Sequence, residues 1–167
     1  MNIDFLKRLS LFIVLLLVQV LVLNHIHLFD YATPFLYVYF IISFNRNYPK
    51  WAILVWSFLL GLSIDIFANT PGVAAAAMTL LGLLQPYVLK LFMQRDSDET
   101  LQPAIFTMGM PKYVYFTLIL TFIYCLVFFT VEMFSFFNWG QWILCIITST
   151  ALSAVLILVV DNLRKKA

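Results

Sequence analysis

Six apolar runs alternate with short polar breaks along the 167 residues: about Phe5 to Asn24, Tyr31 to Phe44, Trp51 to Phe67, Val73 to Phe92, Tyr113 to Phe137 and Gln141 to Val160. A helix rising about 1.5 Å per residue needs about 20 residues to cross a hydrocarbon core of about 30 Å. The pattern therefore predicts an all-α polytopic integral membrane protein of about six transmembrane helices. It forms one domain over residues 1–167, with no stretch left for a soluble unit. The second run is short for an untilted span, and Pro34 opens it where proline is compatible with a helix. The first run has the basic front of a signal peptide. Asn24-His25-Ile26-His27 follows it without a small-x-small cleavage site, so it is expected to stay as a signal anchor. Asn69-Thr70-Pro71-Gly72 predicts a turn, and Pro86 predicts a kink in the fourth span. The longest break, Met93 to Lys112, holds Arg95, Asp96, Asp98 and Glu99, and predicts a loop with a short interfacial helix through Ala104 to Met110.

Charge fixes the orientation. Threaded through a bilayer, the runs leave all ten Lys and Arg residues on one side: Lys7 and Arg8, Arg46 and Lys50, Lys90, Arg95 and Lys112, then Arg164, Lys165 and Lys166. Positive charge is retained in the cytosol during insertion, so both termini are predicted to be cytoplasmic. Composition agrees: 63% of residues are hydrophobic and 11% charged, against about 45–50% and about 25% in soluble domains. Tyr48, Trp51, Tyr113, Trp139 and Trp142 fall near span boundaries, as an aromatic belt requires. The basic face meets anionic membrane lipid as ordinary topology dictates, and this alone specifies no ligand. No nucleic-acid partner is expected.

Chemistry inside a membrane should mark itself by ionisable residues, which are expensive there. Asp65 lies 14 residues after Trp51, so about 21 Å along its helix. A central acid costs about 2.5–3.5 kcal/mol by insertion scales, somewhat less off-centre. Two readings stand: a cap at the outer end of span three, bonded by Asn69 or Thr70, or a polar anchor facing a cavity or a neighbouring helix, which is favoured. Glu132 sits 19 residues after Tyr113, close to the outer boundary, where headgroup exposure explains it adequately. Asp161 is followed at once by Asn162 and the basic tail, and is expected to be wetted. His25, His27 and Asp30 suggest a metal site with Asp65 and Glu132, but His-x-His alone is weak, and a solvated outer loop is expected. Cys125 and Cys145 lie in apolar runs without a CxxC partner, as buried free thiols do. No cofactor is expected.

Span four carries Ala74, Ala75, Ala76 and Ala77 directly after Gly72 of the turn, and then Gly82. Small residues let helix backbones approach closely. The plain expectation is packing between spans three and four, with Gly61 complementing the alanines. The sharper one is that the same surface docks a foreign transmembrane helix. No Ser-His-Asp set, P-loop, metal cluster or nucleophile elbow is present in the sequence, so no enzyme is expected.

The run Gly61-Leu62-Ser63-Ile64-Asp65, the turn into Pro71-Gly72-Val73 and the small-residue start of span four resemble the MreD family of rod shape-determining proteins. The motif occupies Gly61 to Gly82, while chain length, span number and the basic tail match along the rest. The resemblance implies a non-enzymatic scaffold in the bacterial cytoplasmic (inner) membrane. It sits with an MreC-like bitopic membrane protein and indirectly with MreB, RodA and a penicillin-binding transpeptidase. It places partner-binding or structural roles on Gly61, Asp65, Pro71, Gly72, Ala74, Ala77 and Gly82, with Glu132 as a further candidate. The family is also similar in architecture to the substrate-binding subunits of energy-coupling-factor transporters. The alternative is therefore a vitamin-binding subunit in which Asp65 and Glu132 meet a cationic ligand, although the short outer loops offer few polar groups to specify one.

Overall fold

In the computed structural model the described residues are 3–23, 33–93, 102–133 and 138–166, and there is no strand among them. They form α1 (Ile3–Leu21), α2 (Val38–Ile42), α3 (Lys50–Ala68), α4 (Val73–Phe92), α5 (Ile105–Met108), α6 (Met110–Met133) and α7 (Trp139–Lys166). Four helices, α3, α4, α6 and α7, are long and apolar enough to cross a membrane. At about 1.5 Å per residue they measure about 28 to 42 Å. Helix α1 matches α3 in length but brings Lys7 and Arg8 into its second turn. The histidine loop around His25, His27 and Asp30, and the acids Asp96, Asp98 and Glu99, lie outside the described residues.

Helix α3 packs most extensively on α4, α4 on α6, and α6 on α7, while α1 lies against α3. The α3–α4 pair is antiparallel: Lys50, at the start of α3, lies 4.9 Å from the ring of Tyr87, near the end of α4. Helix α4 continues through Pro86. The expected interfacial helix is the single turn α5. Gly109, at φ 84°, then reverses the chain into α6, which starts at Met110, three residues before the predicted span. Tyr113, expected in an aromatic belt, is fully buried and faces the bundle.

The second apolar run departs most from its prediction. It is not a spanning helix: residues 33–35 have no regular secondary structure, a turn follows, and α2 has five residues. Every residue from Pro34 to Phe44 is buried. Pro34 lacks an N–H and disfavours helix in the residue before it. Irregular backbone is tolerated at membrane depth only inside protein, where its polar groups find partners. They do so here. Ser149 and Ser153 of α7 accept from the N–H groups of Thr33 and Phe35 at 3.1 and 2.9 Å. The Gln19 side chain of α1 donates to Pro34 O at 2.9 Å and accepts from Leu36 N at 3.1 Å. At the far end, the Gln85 amide of α4 donates to Phe44 O at 3.0 Å. Segment 33–44 thus occupies the interior between α1, α4, α6 and α7, its backbone fastened by side chains of α1, α4 and α7.

Aromatic rings fill the space around it. Phe35 packs within 4.8 to 6.0 Å of Tyr124, Phe128 and Phe129 of α6, and Phe40 meets Phe12 of α1 and Trp56 of α3. The hydroxyls of Tyr37 and Tyr124 are hydrogen-bonded. In lipid such interlocking packing, rather than removal of apolar surface from water, holds helices together.

Candidate functional site

Asp65 joins the end of α3 to the start of α4. Helix α3 ends at Asn69 in the left-handed region, φ 57° and ψ 35°, and the N–H groups of both Asn69 and Thr70 turn back to the Asp65 carbonyl. This is the Schellman closure, for which asparagine is a tolerated left-handed residue. Thr70 to Val73 then form a turn closed by Val73 N donating to Thr70 O at 3.3 Å. Pro71 occupies its second position and Gly72, at φ 87° and ψ −7°, its third, as a type II turn demands.

Gly72 is the N-cap of α4 and has no side chain with which to cap it, so the Asp65 carboxylate does so from the preceding helix. Its Oδ1 accepts from Ala74 N at 2.8 Å and from the Thr70 hydroxyl at 3.0 Å, and its Oδ2 accepts from Ala75 N at 2.9 Å. With Val73 N on Thr70 O, the N–H groups of Val73, Ala74 and Ala75 are satisfied, three of the four that a helix start leaves unpaired, and Ala76 N on Gly72 O at 3.0 Å begins the helix's own ladder. A carboxylate at this end also meets the positive end of the helix dipole. Asp65 is 3% exposed, so these bonds stand in for its hydration. Gly61, one turn earlier on the same face, makes the approach possible: a Cβ there would lie 2.6 Å from Ala75 Cα and 2.7 Å from Ala74 O. Gly61 and Asp65 form one device, a gap and a clamp.

The predicted site residues therefore divide. Gly61, Asp65, Ala74 and Ala77 are buried between helices. A Cβ at Gly82 would meet the Ser57 side chain of α3, with its Cβ at 3.1 Å. Gly61, Asp65, Ala74 and Gly82 lie where α3 packs on α4, and with the buried Ala77 they are closed to a foreign helix. Pro71 and Gly72 are exposed at the turn. Beside it, a shallow apolar groove of 710 Å³ runs between the ridge Leu54, Phe58 and Leu62 on α3 and the ridge Leu80 and Leu83 on α4, floored by Gly72, Ala75 and Ala76.

Glu132 is exposed and stands apart from the clamp. It lines a 370 Å³ cavity with Gln19, Phe35, Tyr37, Phe128 and Thr70. Thr70, which donates to Asp65, is on that wall, but Asp65 itself is turned toward α4. Among the described residues no three His, Cys, Asp or Glu side chains are grouped to hold a metal ion.

Asp161 corrects the expectation of a wetted carboxylate. It is 4% exposed. Its Oδ2 accepts from Ile105 N at 2.9 Å and its Oδ1 from the Tyr39 hydroxyl at 3.1 Å, tying α5 and α2 to α7. Arg164 donates to the Tyr39 hydroxyl at 3.3 Å and to the Gln102 side-chain Oε1 at 2.7 Å. Sequence reasoning also passed over Gln19, Ser149 and Ser153. Their signal was there: a lone glutamine in a Leu/Val run, and two serines four apart on one helix face. No family model matches the chain, and no curated protein or solved structure matches it.

Proposed function

We propose that the chain is a non-enzymatic scaffold of the bacterial inner membrane, of the MreD type, threaded six times with both termini in the cytoplasm. Its role on this reading is to hold the transmembrane helix of an MreC-like bitopic protein, and through it to bring the cell-wall synthases and the MreB filament to one place. The observation that carries the reading is the groove on α3 and α4. Leu54, Phe58 and Leu62 recur every four residues, the spacing of a helix ridge that a second helix packs beside. The floor of glycine and alanine admits a backbone closely, which is how helices associate in lipid. The Asp65 clamp holds the two ridges in register.

The test is a photo-crosslinking residue at Ala76 or Leu83, with Ile147 on the exposed face of α7 as control, followed by mild-detergent purification from the native host. A bitopic partner captured from the first two positions and not from Ile147 supports the scaffold. Recovery of an energy-coupling transmembrane protein with its ATPases overturns it in favour of the second reading. That reading draws support from the 370 Å³ cavity, where Glu132 and the rings of Phe35, Tyr37 and Phe128 offer a carboxylate and π faces to an organic cation. A vitamin retained by the purified protein, and lost with Glu132→Gln, is its signature.

A further inference from the structure

A second cavity, of 690 Å³, opens at the end of the bundle opposite the Asp65 clamp. Four stretches remote in sequence build it: the start of α1, the turn between α2 and α3, the segment before α5, and the end of α7. Lys7, Arg8 and Arg164 bring three positive charges to its wall, and no acidic side chain among the described residues lines it. Two of the three cations are held in place by the fold. Arg8 is 8% exposed, with its guanidinium 4.2 Å from the ring centroid of Tyr48 and 4.6 Å from that of Phe44. Such stacking fixes the direction of a guanidinium. Arg164 is oriented by its bonds to Tyr39 and Gln102. A cluster of this kind is pre-organised for an anion, because its ordering cost is met on folding.

The wall also changes character along α1. One and two turns beyond Lys7 come Leu11 and Val14, the latter half exposed on the outer surface of the helix. The cavity therefore runs from a cationic mouth onto an apolar strip that continues into the membrane. A soluble anion would use the mouth alone, whereas a molecule with a charged head and a hydrocarbon tail uses both. Basic pockets between membrane helices are suited to phosphate headgroups. We propose that this pocket binds one anionic phospholipid, its phosphate among Lys7, Arg8 and Arg164 and an acyl chain along Leu11 and Val14.

The experiment is native mass spectrometry of the full chain in mild detergent, titrated with phosphatidylglycerol or with phosphatidylcholine of the same chain length. Phosphatidylglycerol is expected to be retained about tenfold more strongly, with Lys7→Gln and Arg164→Gln each weakening it about fivefold. Lys7 is exposed, so its replacement leaves the fold intact. Lys50 is basic at the same end but stacks on Tyr87, outside the cavity, so Lys50→Gln should change nothing. Equal retention of the two lipids, or an equal loss with Lys50→Gln, overturns the proposal. Adding inorganic phosphate separates the sources: retention of the lipid against it supports the assignment, and displacement gives the pocket to a soluble phosphate instead.

Discussion

Two buried aspartates sit at opposite ends of this bundle and do the same physical work in different ways. Asp65 accepts three hydrogen bonds, all from residues within ten positions of it. Asp161 accepts two, from Ile105 and Tyr39, which lie 56 and 122 residues away. Each replaces the water a carboxylate loses on burial with backbone N–H and hydroxyl donors. The first is a local closure that completes a helix–turn–helix unit, and the second is a long-range clasp that gathers three separate parts of the chain. A local device should decide whether α3 and α4 form as a pair, and a distant one how firmly finished pieces are held together.

The largest effect should come from the local device. Asp65→Leu leaves the N–H groups of Ala74 and Ala75 buried without acceptors, a loss of about 2–6 kcal/mol at about 1–3 kcal/mol for each orphaned donor. Thermal unfolding in mild detergent should show it as failure to recover folded protein. Asp65→Asn keeps one acceptor but sets an amide N–H₂ against an N–H donor, so it should lose about half as much. Equal tolerance of Leu and Asn would break the comparison.

Gly61→Val comes next. Its side chain meets the backbone of Ala75, which cannot move without shifting α4, and overpacking of this kind costs about 1–3 kcal/mol. Gly82→Ala meets the Ser57 side chain instead and should cost less, a difference readable as two melting temperatures in the same detergent. Asp161→Leu should cost about 1–2 kcal/mol and be felt mainly at 102–109, as faster proteolysis there while α3 and α4 keep their protection. Smallest is Ser153→Ala, which removes the partner of Phe35 N, at about 1 kcal/mol. It should appear as faster hydrogen exchange of that amide, with Ser149→Ala acting more weakly on the less buried Thr33.

The same contrast explains what could be read before the fold was known. The four long helices and the placement of Asp65 against a neighbouring helix were legible because the determinants lie close together: a 20-residue apolar run, a glycine one turn before an acid, a Pro-Gly turn. The choice between cap and anchor resolves into both, since the carboxylate caps a helix that is also its neighbour. Segment 33–44 was not legible as a broken insertion. Its apolar residues score alike in a spanning helix and in a buried irregular segment, and the groups that decide between them, Gln19, Ser149 and Ser153, lie elsewhere in the chain. Asp161 was misjudged from its polar neighbours in sequence, when its neighbours in space are Tyr39 and Ile105. The alanines of α4 signalled close packing correctly but could not say which of them face inward. Ala74 and Ala77 are internal, whereas Ala76 is on the outside.

The fastening of residues 33–36 also sets a timetable for making the protein. Their serine partners on α7 are 116 and 118 residues further on. At a synthesis rate of about 5–20 residues per second, roughly 6–24 s pass before those hydroxyls exist. Through that interval Gln19 is the only one of the three anchors already synthesised, and an irregular stretch around Pro34 must be sheltered from lipid by other means. Helix α7, made long after that segment, is what locks it in place, so the centre of this bundle is completed only after the helices around it have been made.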